Sequence, residues 1–190
     1  MLFILLSAPL YYYIGHELRR ENFSELLFTY SILFGLYIAF IAWIKEKNIT
    51  ILLMGAMILR LVFLFSEPGL SDDVWRFIWD GRLWNAGINP FTHIPEYFIN
   101  NDIHIDGIDP QLYSRLNSPN YFTIYPPFNQ LVFYLSTIVP AHMNWLSVDI
   151  IRLSIILADL GVLVIMFQLL KMHDLPIKRL SIYAFNPLVI

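Results

Sequence analysis

Apolar residues occur along this 190-residue chain in six runs, and one long polar segment separates the third run from the fourth. A membrane-spanning helix needs about 20 apolar residues, because the hydrocarbon core of a bilayer is about 30 Å thick. Some of the runs approach that length and others fall short of it. The pattern predicts full or partial spans at residues 2–14, 26–44, 49–65, 128–140, 150–170 and 180–190.

The predicted fold is therefore all-α. We expect a polytopic transmembrane helical bundle that forms a single, partial transmembrane domain over residues 1–190, with a large extramembrane loop at 67–127. The final apolar run, 180–190, is too short to cross a bilayer. For this reason we expect the chain to be the N-terminal part of a longer protein.

The composition agrees with a membrane protein. Hydrophobic residues make up 57% of the chain and charged residues only 14%, whereas soluble domains carry about 25% charged residues. The net charge of −3 argues against a nucleic-acid partner, because phosphate binding needs clustered Lys and Arg. The sequence has no cysteine, so disulfides give no information about its compartment.

The polar loop opens with a predicted amphipathic helix next to the membrane. Ser71 is a good N-cap, and Asp72 and Asp73 fall in the first turn, where acids are favourable against the helix dipole. The spacing of Asp72, Arg76 and Asp80 predicts a ladder of charges along one face. Another face carries apolar residues and tryptophans, which we expect to anchor the helix at the lipid interface. The residues on that face are Trp75, Ile78, Trp79, Arg82 and Leu83.

The acid pair Asp72-Asp73 has three possible uses. One carboxylate could act as a general base on an acceptor hydroxyl. The pair could bind Mg²⁺ or Mn²⁺ through oxygen ligands. The acids could instead have only a structural role, in which they cap the helix and pair with Arg76. The local pattern alone leaves these uses open.

Two charged residues fall within predicted spans. Arg60 lies close enough to the end of its run to snorkel toward the headgroups, or to aim its cation at a lipid phosphate. Asp159 lies near the middle of its run, and acids at such depth usually face the interior of a bundle. We expect Asp159 to be a hydrogen-bonded packing residue that an amide could partly replace.

A set of motifs in the second half of the chain resembles GT-C membrane glycosyltransferases, in particular the polyprenol-phosphate-mannose-dependent mannosyltransferases. The motifs occur in the same order as in that family, and the resemblance covers roughly residues 66–190. They are Ser71-Asp72-Asp73, Trp79-Asp80-Gly81-Arg82, Gly87-Ile88-Asn89-Pro90-Phe91, Tyr125-Pro126-Pro127, Asp159 and Phe185-Asn186-Pro187.

The resemblance implies an inverting transferase that moves a sugar, with mannose expected, from a polyprenyl-phosphate donor to a hydroxyl of a glycan or lipid acceptor. By carry-over, Asp72 or Asp73 would be the base or a metal ligand. Arg76 and Arg82 could hold the donor phosphate, because a planar guanidinium suits bidentate phosphate contacts. The motif positions Asp80 and Tyr125 complete the predicted substrate-binding set.

The side of the membrane on which the loop lies is predicted differently by two criteria. The family uses its loop acids on the extracytoplasmic face, which for a bacterial enzyme is the outer side of the inner membrane. The positive-inside rule places the loop in the cytoplasm, because the loop shares a side with the Arg19-Arg20 turn and with residues 171–179. We follow the family and expect an extracytoplasmic site.

Two other functional classes compete with the enzyme. A transporter or flippase for lipid-linked glycans would concentrate its charges at mid-membrane and interrupt paired helices. In this chain the charges concentrate outside the predicted spans, and only Asp159 lies clearly at depth. A non-catalytic partner subunit built on the same core is the third possibility.

Overall fold

The computed structural model describes residues 2–45 and 48–190. These residues form helices joined by turns, with an isolated bridge between Ile105 and Ile108 and no strand. Short 3-10 turns precede the last two helices, at Ala141–Met143 and Ile177–Arg179. The helices are α1 (Leu2–His16), α2 (Phe23–Trp43), α3 (Ile49–Leu61), α4 (Asp73–Asn85), α5 (Pro95–Asn100), α6 (Pro110–Ser114), α7 (Pro127–Ser136), α8 (Asn144–Met172) and α9 (Leu180–Ala184).

The all-helical class is confirmed for the described residues. Two of their helical segments, Phe23–Trp43 and Ala141–Met172, are long and apolar enough to cross a membrane. They contain most of the predicted spans 26–44 and 150–170. Only Thr29 and Leu33 of α2 are buried, so most of the surface of this apolar helix is available to lipid.

The other predicted spans form shorter helices. The run 49–65 becomes α3, which has 13 residues and ends before the turns that follow Leu61. The run 128–140 becomes α7, which has 10 residues and is about 15 Å long at 1.5 Å per residue. That length is about half of the hydrocarbon core. The run 180–190 contains only the five-residue α9 followed by a turn at Asn186.

The chain divides into two compact units. The first unit contains Met1–Leu70 and Ile155–Ile190, and the second contains Ser71–Ser154. The polar loop is therefore part of a packed unit with its own core. The second unit also takes in α7 and the start of α8, so the predicted loop boundary at 127 does not coincide with its limit.

Aromatic packing organises the core of the first unit. The ring of Phe185 meets Phe3 and Phe40 edge to face at centroid distances of 5.7 and 4.9 Å, and Phe3 stacks on Phe40 at 4.5 Å. A Cβ at Gly55 would lie 3.3 Å from the Phe185 ring. The Phe-Asn-Pro segment thus packs against α1, α2 and α3.

A buried ion pair lies in the same unit. Arg60 on α3 donates from Nε to Asp159 Oδ2 at 2.5 Å and from Nη1 to the carbonyl oxygens of Ala56 and Ala184, at 3.1 and 2.9 Å. The hydroxyl of Tyr183 donates to the other carboxylate oxygen of Asp159 at 2.7 Å. The side chain of Arg60 is 3% exposed and that of Asp159 is 15% exposed.

This pair corrects both predicted roles of Arg60. Its guanidinium neither snorkels nor points to a lipid phosphate, because Asp159 balances its charge within the unit. The prediction that Asp159 is hydrogen-bonded is confirmed, but the residue is also a counter-ion. An asparagine at this position would keep part of the hydrogen bonding and lose the negative charge. Asp159→Asn should therefore lower the stability of the protein, because the charge of Arg60 would then be buried without a counter-ion.

Helix α4 is the central element of the second unit. Residues on several of its faces are buried, and its apolar side packs against segments that lie in the predicted loop 67–127. Trp79 is fully buried, between Phe98 and Tyr113. The prediction that it anchors the helix at a lipid interface is therefore wrong. The core of this unit consists of Val74, Ile78, Trp79, Leu83, Phe98, Ile105, Leu112, Leu116 and Val148.

Helices α4 and α7 approach each other closely at Gly81. A Cβ at Gly81 would lie 2.3 Å from the carbonyl oxygen of Phe133 and 2.4 Å from Thr137 Oγ1. One turn earlier, the ring of Phe77 stacks on Phe133 at a centroid distance of 4.5 Å. Only glycine allows the two backbones to meet at this distance, so the Trp-Asp-Gly-Arg motif has a packing reason for its third residue.

We predict that Asp159→Leu destabilises the protein by about 3–5 kcal/mol, because it leaves the buried charge of Arg60 without a partner. The double variant Arg60→Met/Asp159→Leu should recover most of that loss, since both charges are then removed together. Titration of the purified protein with sodium dodecyl sulfate measures the free energy of unfolding.

Tyr183→Phe is the matched control for this experiment. It removes one hydrogen bond to Asp159 and keeps both charges, so we expect a loss of about 1–3 kcal/mol. A double variant no more stable than Asp159→Leu alone would contradict the ion-pair account.

Candidate active site

The predicted acid pair lies at the start of α4. The N-cap is Asp72 rather than the predicted Ser71. Ser71 still contributes, because its Oγ accepts a hydrogen bond from the backbone N–H of Asp73 at 3.2 Å. Asp73 is the first residue of the helix, as predicted for the first turn. Both acids lie beside backbone N–H groups that lack partners inside the helix, which is a favourable place for negative charge.

Both acids are partly exposed. The Oδ1 atom of Asp73 accepts a hydrogen bond from Asn117 Nδ2 at 2.8 Å. This contact joins the start of α4 to the segment that follows α6 and fixes one side of the carboxylate. A carboxylate oxygen has more than one lone pair, so Asp73 keeps accepting capacity for an incoming hydroxyl.

One turn into α4, the charges are buried and paired. Arg76 is 3% exposed and Asp80 is fully buried, and Arg76 Nε donates to Asp80 Oδ1 at 2.9 Å. This confirms the Arg76–Asp80 part of the predicted ladder. Arg76 Nη1 also donates to the carbonyl oxygens of Ser118 and Tyr121, at 3.1 and 3.0 Å. The guanidinium therefore holds the loop segment 118–121 against α4.

Asp80 is the acceptor at the centre of this network. Its Oδ2 atom accepts hydrogen bonds from Thr123 Oγ1 at 2.5 Å and from Gln130 Nε2 at 2.9 Å. The Oε1 atom of Gln130 accepts in turn from Trp84 Nε1 at 3.0 Å. Each of these groups is a member of one chain of hydrogen bonds that joins α4, the loop and α7.

Thr123 and Gln130 were missed by the sequence reasoning. Gln130 carries a usable signal, because a polar amide near the start of an apolar run requires a partner when it is buried. Thr123 carries none, since a threonine in an irregular segment is ordinary. Neither residue could have been assigned to Asp80 from the sequence, because Thr123 lies 43 positions and Gln130 lies 50 positions away from it along the chain.

Tyr125 lies beside the second turn of α4. Its ring meets Phe77 and Phe133 edge to face, at centroid distances of 4.9 and 5.5 Å. Burial raises the pKa of the Tyr125 hydroxyl, and the negative charges of Asp73 and Asp80 raise it further, against the opposing effect of Arg76. The structure thus brings together four predicted residues, namely Asp73, Arg76, Asp80 and Tyr125.

Arg82 makes its contacts elsewhere in the unit. It is 4% exposed, and its Nη1 atom donates to the carbonyl oxygens of Thr137 and Val139 at 2.9 and 2.6 Å. Its Nη2 atom donates to Asn144 Oδ1 at 3.1 Å. Burial lowers the pKa of Arg82, and the charge of Asp106 partly offsets that effect. These bonds hold the turn between α7 and α8. Arg82 could bind a phosphate only if its guanidinium gave up some of them.

A metal ion at the acid pair would need ligands from outside the protein. Among residues 2–45 and 48–190, no group of three or more His, Cys, Asp or Glu side chains has a geometry that could hold a metal ion. Mg²⁺ is commonly bound through one or two carboxylates together with substrate phosphates and water. Asp72 and Asp73 fit that limited role, and metal dependence stays a prediction.

A pocket of about 510 Å³ lies between the end of α4 and the exposed side of α7, where it meets the buried polar network at Gln130. It includes Asn89 and Phe91 from the Gly-Ile-Asn-Pro-Phe motif, which gives that motif a place in the structure. The pocket is lined by Trp84, Asn89, Phe91, Pro127, Gln130, Leu131 and Tyr134.

Comparison of the chain with protein-family models, curated proteins and solved structures finds no match. The likeness to GT-C glycosyltransferases therefore depends on the motifs quoted from the sequence.

Proposed function

We propose that this protein is a membrane glycosyltransferase that transfers a sugar, with mannose expected, from a polyprenyl phosphate to a hydroxyl of a glycan or lipid acceptor. The observation that carries the proposal is the contrast between two sets of acids on α4. Asp80 is buried and fully engaged by three donors, whereas Asp72 and Asp73 are partly exposed at the helix start. If the chain needed a carboxylate only to hold this helix in place, Asp80, two turns further on, already supplies it.

In the proposed reaction, Asp73 or Asp72 takes the proton of the acceptor hydroxyl. The hydroxyl oxygen forms a bond to the anomeric carbon of the donor sugar from the face opposite the phosphate. The bond between that carbon and the phosphate oxygen breaks, and the electron pair leaves with the polyprenyl phosphate. The configuration at the anomeric carbon is inverted, and the proton remains on the carboxylate until it passes to water.

The buried residues support this reaction by positioning. A catalytic carboxylate must be held close to its productive geometry by a supporting shell of locked side chains. Arg76 and Asp80 join α4 to residues 118–123 and to α7, and Asn117 fixes the Asp73 carboxylate from the same loop. Tyr125 packs against Phe77 of the same helix, and in this proposal its hydroxyl contacts the substrate.

The backbone at the start of α4 also suits the donor. Unpaired N–H groups and the positive end of the helix dipole make a helix N-terminus favourable for phosphate. α4 has 13 residues, long enough for an appreciable dipole. We expect the donor phosphate to approach this end of the helix, with Arg76 behind it in the same network.

The buried ion pair favours the enzyme over the transporter alternative. A transporter needs charged or polar groups that face a translocation path near the middle of the membrane. Arg60 and Asp159 instead bond to one another and to Tyr183 inside the first unit. The partly exposed acids lie in the second unit, on the segment that the chain keeps outside its apolar runs.

The proposal includes a GT-C-like multi-pass bundle in a membrane, expected to be the bacterial inner membrane, with the acids on the extracytoplasmic side. We predict that a cysteine at Asn101, an exposed position, reacts with a membrane-impermeant thiol reagent in intact cells. The sequence has no native cysteine to interfere. Lys45→Cys is the matched control, because alternation of the spans places it on the opposite side. Labelling of Asn101→Cys only after lysis would overturn the assignment.

We also predict that Asp73→Asn, or failing that Asp72→Asn, abolishes sugar transfer while the protein remains folded. An asparagine keeps the shape of the side chain and removes its negative charge. The loss of a general base typically lowers the rate by about 10²–10⁴-fold. If the carboxylate only stabilises the helix start, the cost is about 0.3–1 kcal/mol of stability, and turnover should survive.

The assay follows transfer from a radiolabelled polyprenyl-phosphate sugar in membranes that contain equal amounts of each variant. Asp102→Asn is the matched control: Asp102 is exposed and has a φ of +50°, a conformation that asparagine also tolerates. Near-normal turnover in both single variants and in the double variant Asp72→Asn/Asp73→Asn would show that the pair is structural.

A further inference from the structure

One face of α7 is apolar and exposed. The opposite face, with Gln130, Phe133 and Ser136, is buried, so the exposed row is a distinct side of an amphipathic helix. No residue of α7 is charged. The exposed row continues past the end of the helix, and its members with their exposed fractions are Phe128 73%, Leu131 50%, Leu135 49% and Ile138 61%.

This apolar row is tied closely to a candidate membrane helix. Residues 137–140 separate the end of α7 from the segment Ala141–Met172, which is long and apolar enough to cross a bilayer. Four extended residues reach at most about 14 Å. The row therefore lies close to the start of a segment that is long and apolar enough to cross a bilayer, and this connection favours lipid as the apolar phase that covers it.

The pocket beside α7 opens on this same side of the helix, since Leu131 belongs to both. We propose that α7 lies at the lipid interface with its row of apolar side chains in the membrane, and that the pocket binds one hydrocarbon chain of a membrane lipid. This assignment does not rest on the proposed function, because it follows from surface chemistry and connectivity alone.

The hydrogen bonds behind the pocket disfavour a strongly polar occupant. Gln130 lines the pocket, but its Nε2 donates to Asp80 and Thr123 and its Oε1 accepts from Trp84 Nε1. The Oδ1 atom of Asn89 accepts from the backbone N–H of Phe91 at 3.0 Å. A sugar needs several protein groups for its hydroxyls, whereas Gln130, the indole N–H of Trp84 and Asn89 Oδ1 already have hydrogen-bond partners.

What remains for a ligand is mostly aromatic and aliphatic surface. Trp84, Phe91, Leu131 and Tyr134 supply it, and the volume of about 510 Å³ lies within the range of about 300–1,000 Å³ that is usual for ligand pockets. Burial of hydrocarbon in such a site is favourable roughly in proportion to the area removed from water. The chemistry suits either an acyl chain or an isoprenoid chain.

The test uses photoreactive lipids and the full chain in liposomes. One probe is a phospholipid with a diazirine in its acyl chain, the second is a polyprenyl phosphate with a diazirine in its isoprenoid chain, and the third is a water-soluble diazirine monosaccharide. Adducts are mapped by mass spectrometry of peptides. We expect one or both lipid probes to label residues 84–91 and 127–134 of the wild-type chain, and their ratio identifies the source of the hydrocarbon.

Leu131→Trp places extra bulk in the pocket. Because even a single methylene changes binding in a hydrophobic pocket by about 10-fold or more, labelling of residues 84–91 should fall at least that far. Leu135→Trp is the matched control, since Leu135 has nearly the same exposure on the same face but does not line the pocket. It should leave that labelling unchanged. If Leu131→Trp does not accumulate, Phe91→Trp adds bulk to the pocket from the loop.

Several results would overturn the inference. Lipid adducts confined to the outer row of α7, or absent from the second unit, would mean that no chain enters the pocket. Labelling of the pocket by the monosaccharide in preference to both lipids would assign it to a sugar. An equal loss of labelling in Leu131→Trp and Leu135→Trp would mean that added bulk anywhere on this face of α7 lowers the labelling, whether or not the residue lines the pocket.

Discussion

The second unit depends on the burial of two opposite charges on one helix. A buried charge is tolerated only when it is paired and its remaining hydrogen-bonding capacity is used. Arg76 and Asp80 meet this condition through each other and through Ser118, Tyr121 and Thr123. The requirement orders a loop that has little regular structure of its own. Each partner must stay in place, because a released partner would leave a charge unbalanced inside the unit.

This constraint explains why the start of α4 is a suitable place for chemistry. The side chains of the helix are fixed from its second turn onward, by the polar network and by the close contact at Gly81 with α7. The first turn carries Asp72 and Asp73 with only part of their surface covered. General acid–base catalysis requires accessible carboxylates that are held in a fixed position by rigid neighbouring residues. The proposed transferase reaction uses this arrangement, and the pocket proposed for a hydrocarbon chain lies toward the other end of α4, beside α7.

The sequence predicted the positions of the helices more successfully than it predicted what each helix packs against. The extent of α4 and the Arg76–Asp80 pair follow from spacing within a single helix, and the apolar character of α2 and α8 follows from their length and composition. Trp79 was assigned to the wrong environment, because a helical stripe of apolar residues looks the same whether it faces lipid or a protein core. Its partner Phe98 comes from a segment that showed no regular periodicity.

The long-range partners could not be predicted for a different reason. Arg60 and Asp159 were each recognised as unusual, yet they lie 99 positions apart, and nothing in one sequence couples them. The same holds for Asp80 with Thr123 and Gln130. In the first unit only the fold identified the charge that balances Arg60, and in the second it identified the neutral donors that complete a charge pair already predicted from spacing.

A double-mutant cycle between Arg76 and Asp80 tests the central claim most directly. The free energy of unfolding is measured for the wild type, Arg76→Met, Asp80→Leu and the double variant. The account predicts that each single variant loses several kcal/mol and that the coupling energy is about 2 kcal/mol or more, toward the upper end of the range for residues in contact. A coupling of about 0.3–0.5 kcal/mol, the value for exposed pairs with this spacing on a helix, would contradict the claim that burial of this pair organises the unit.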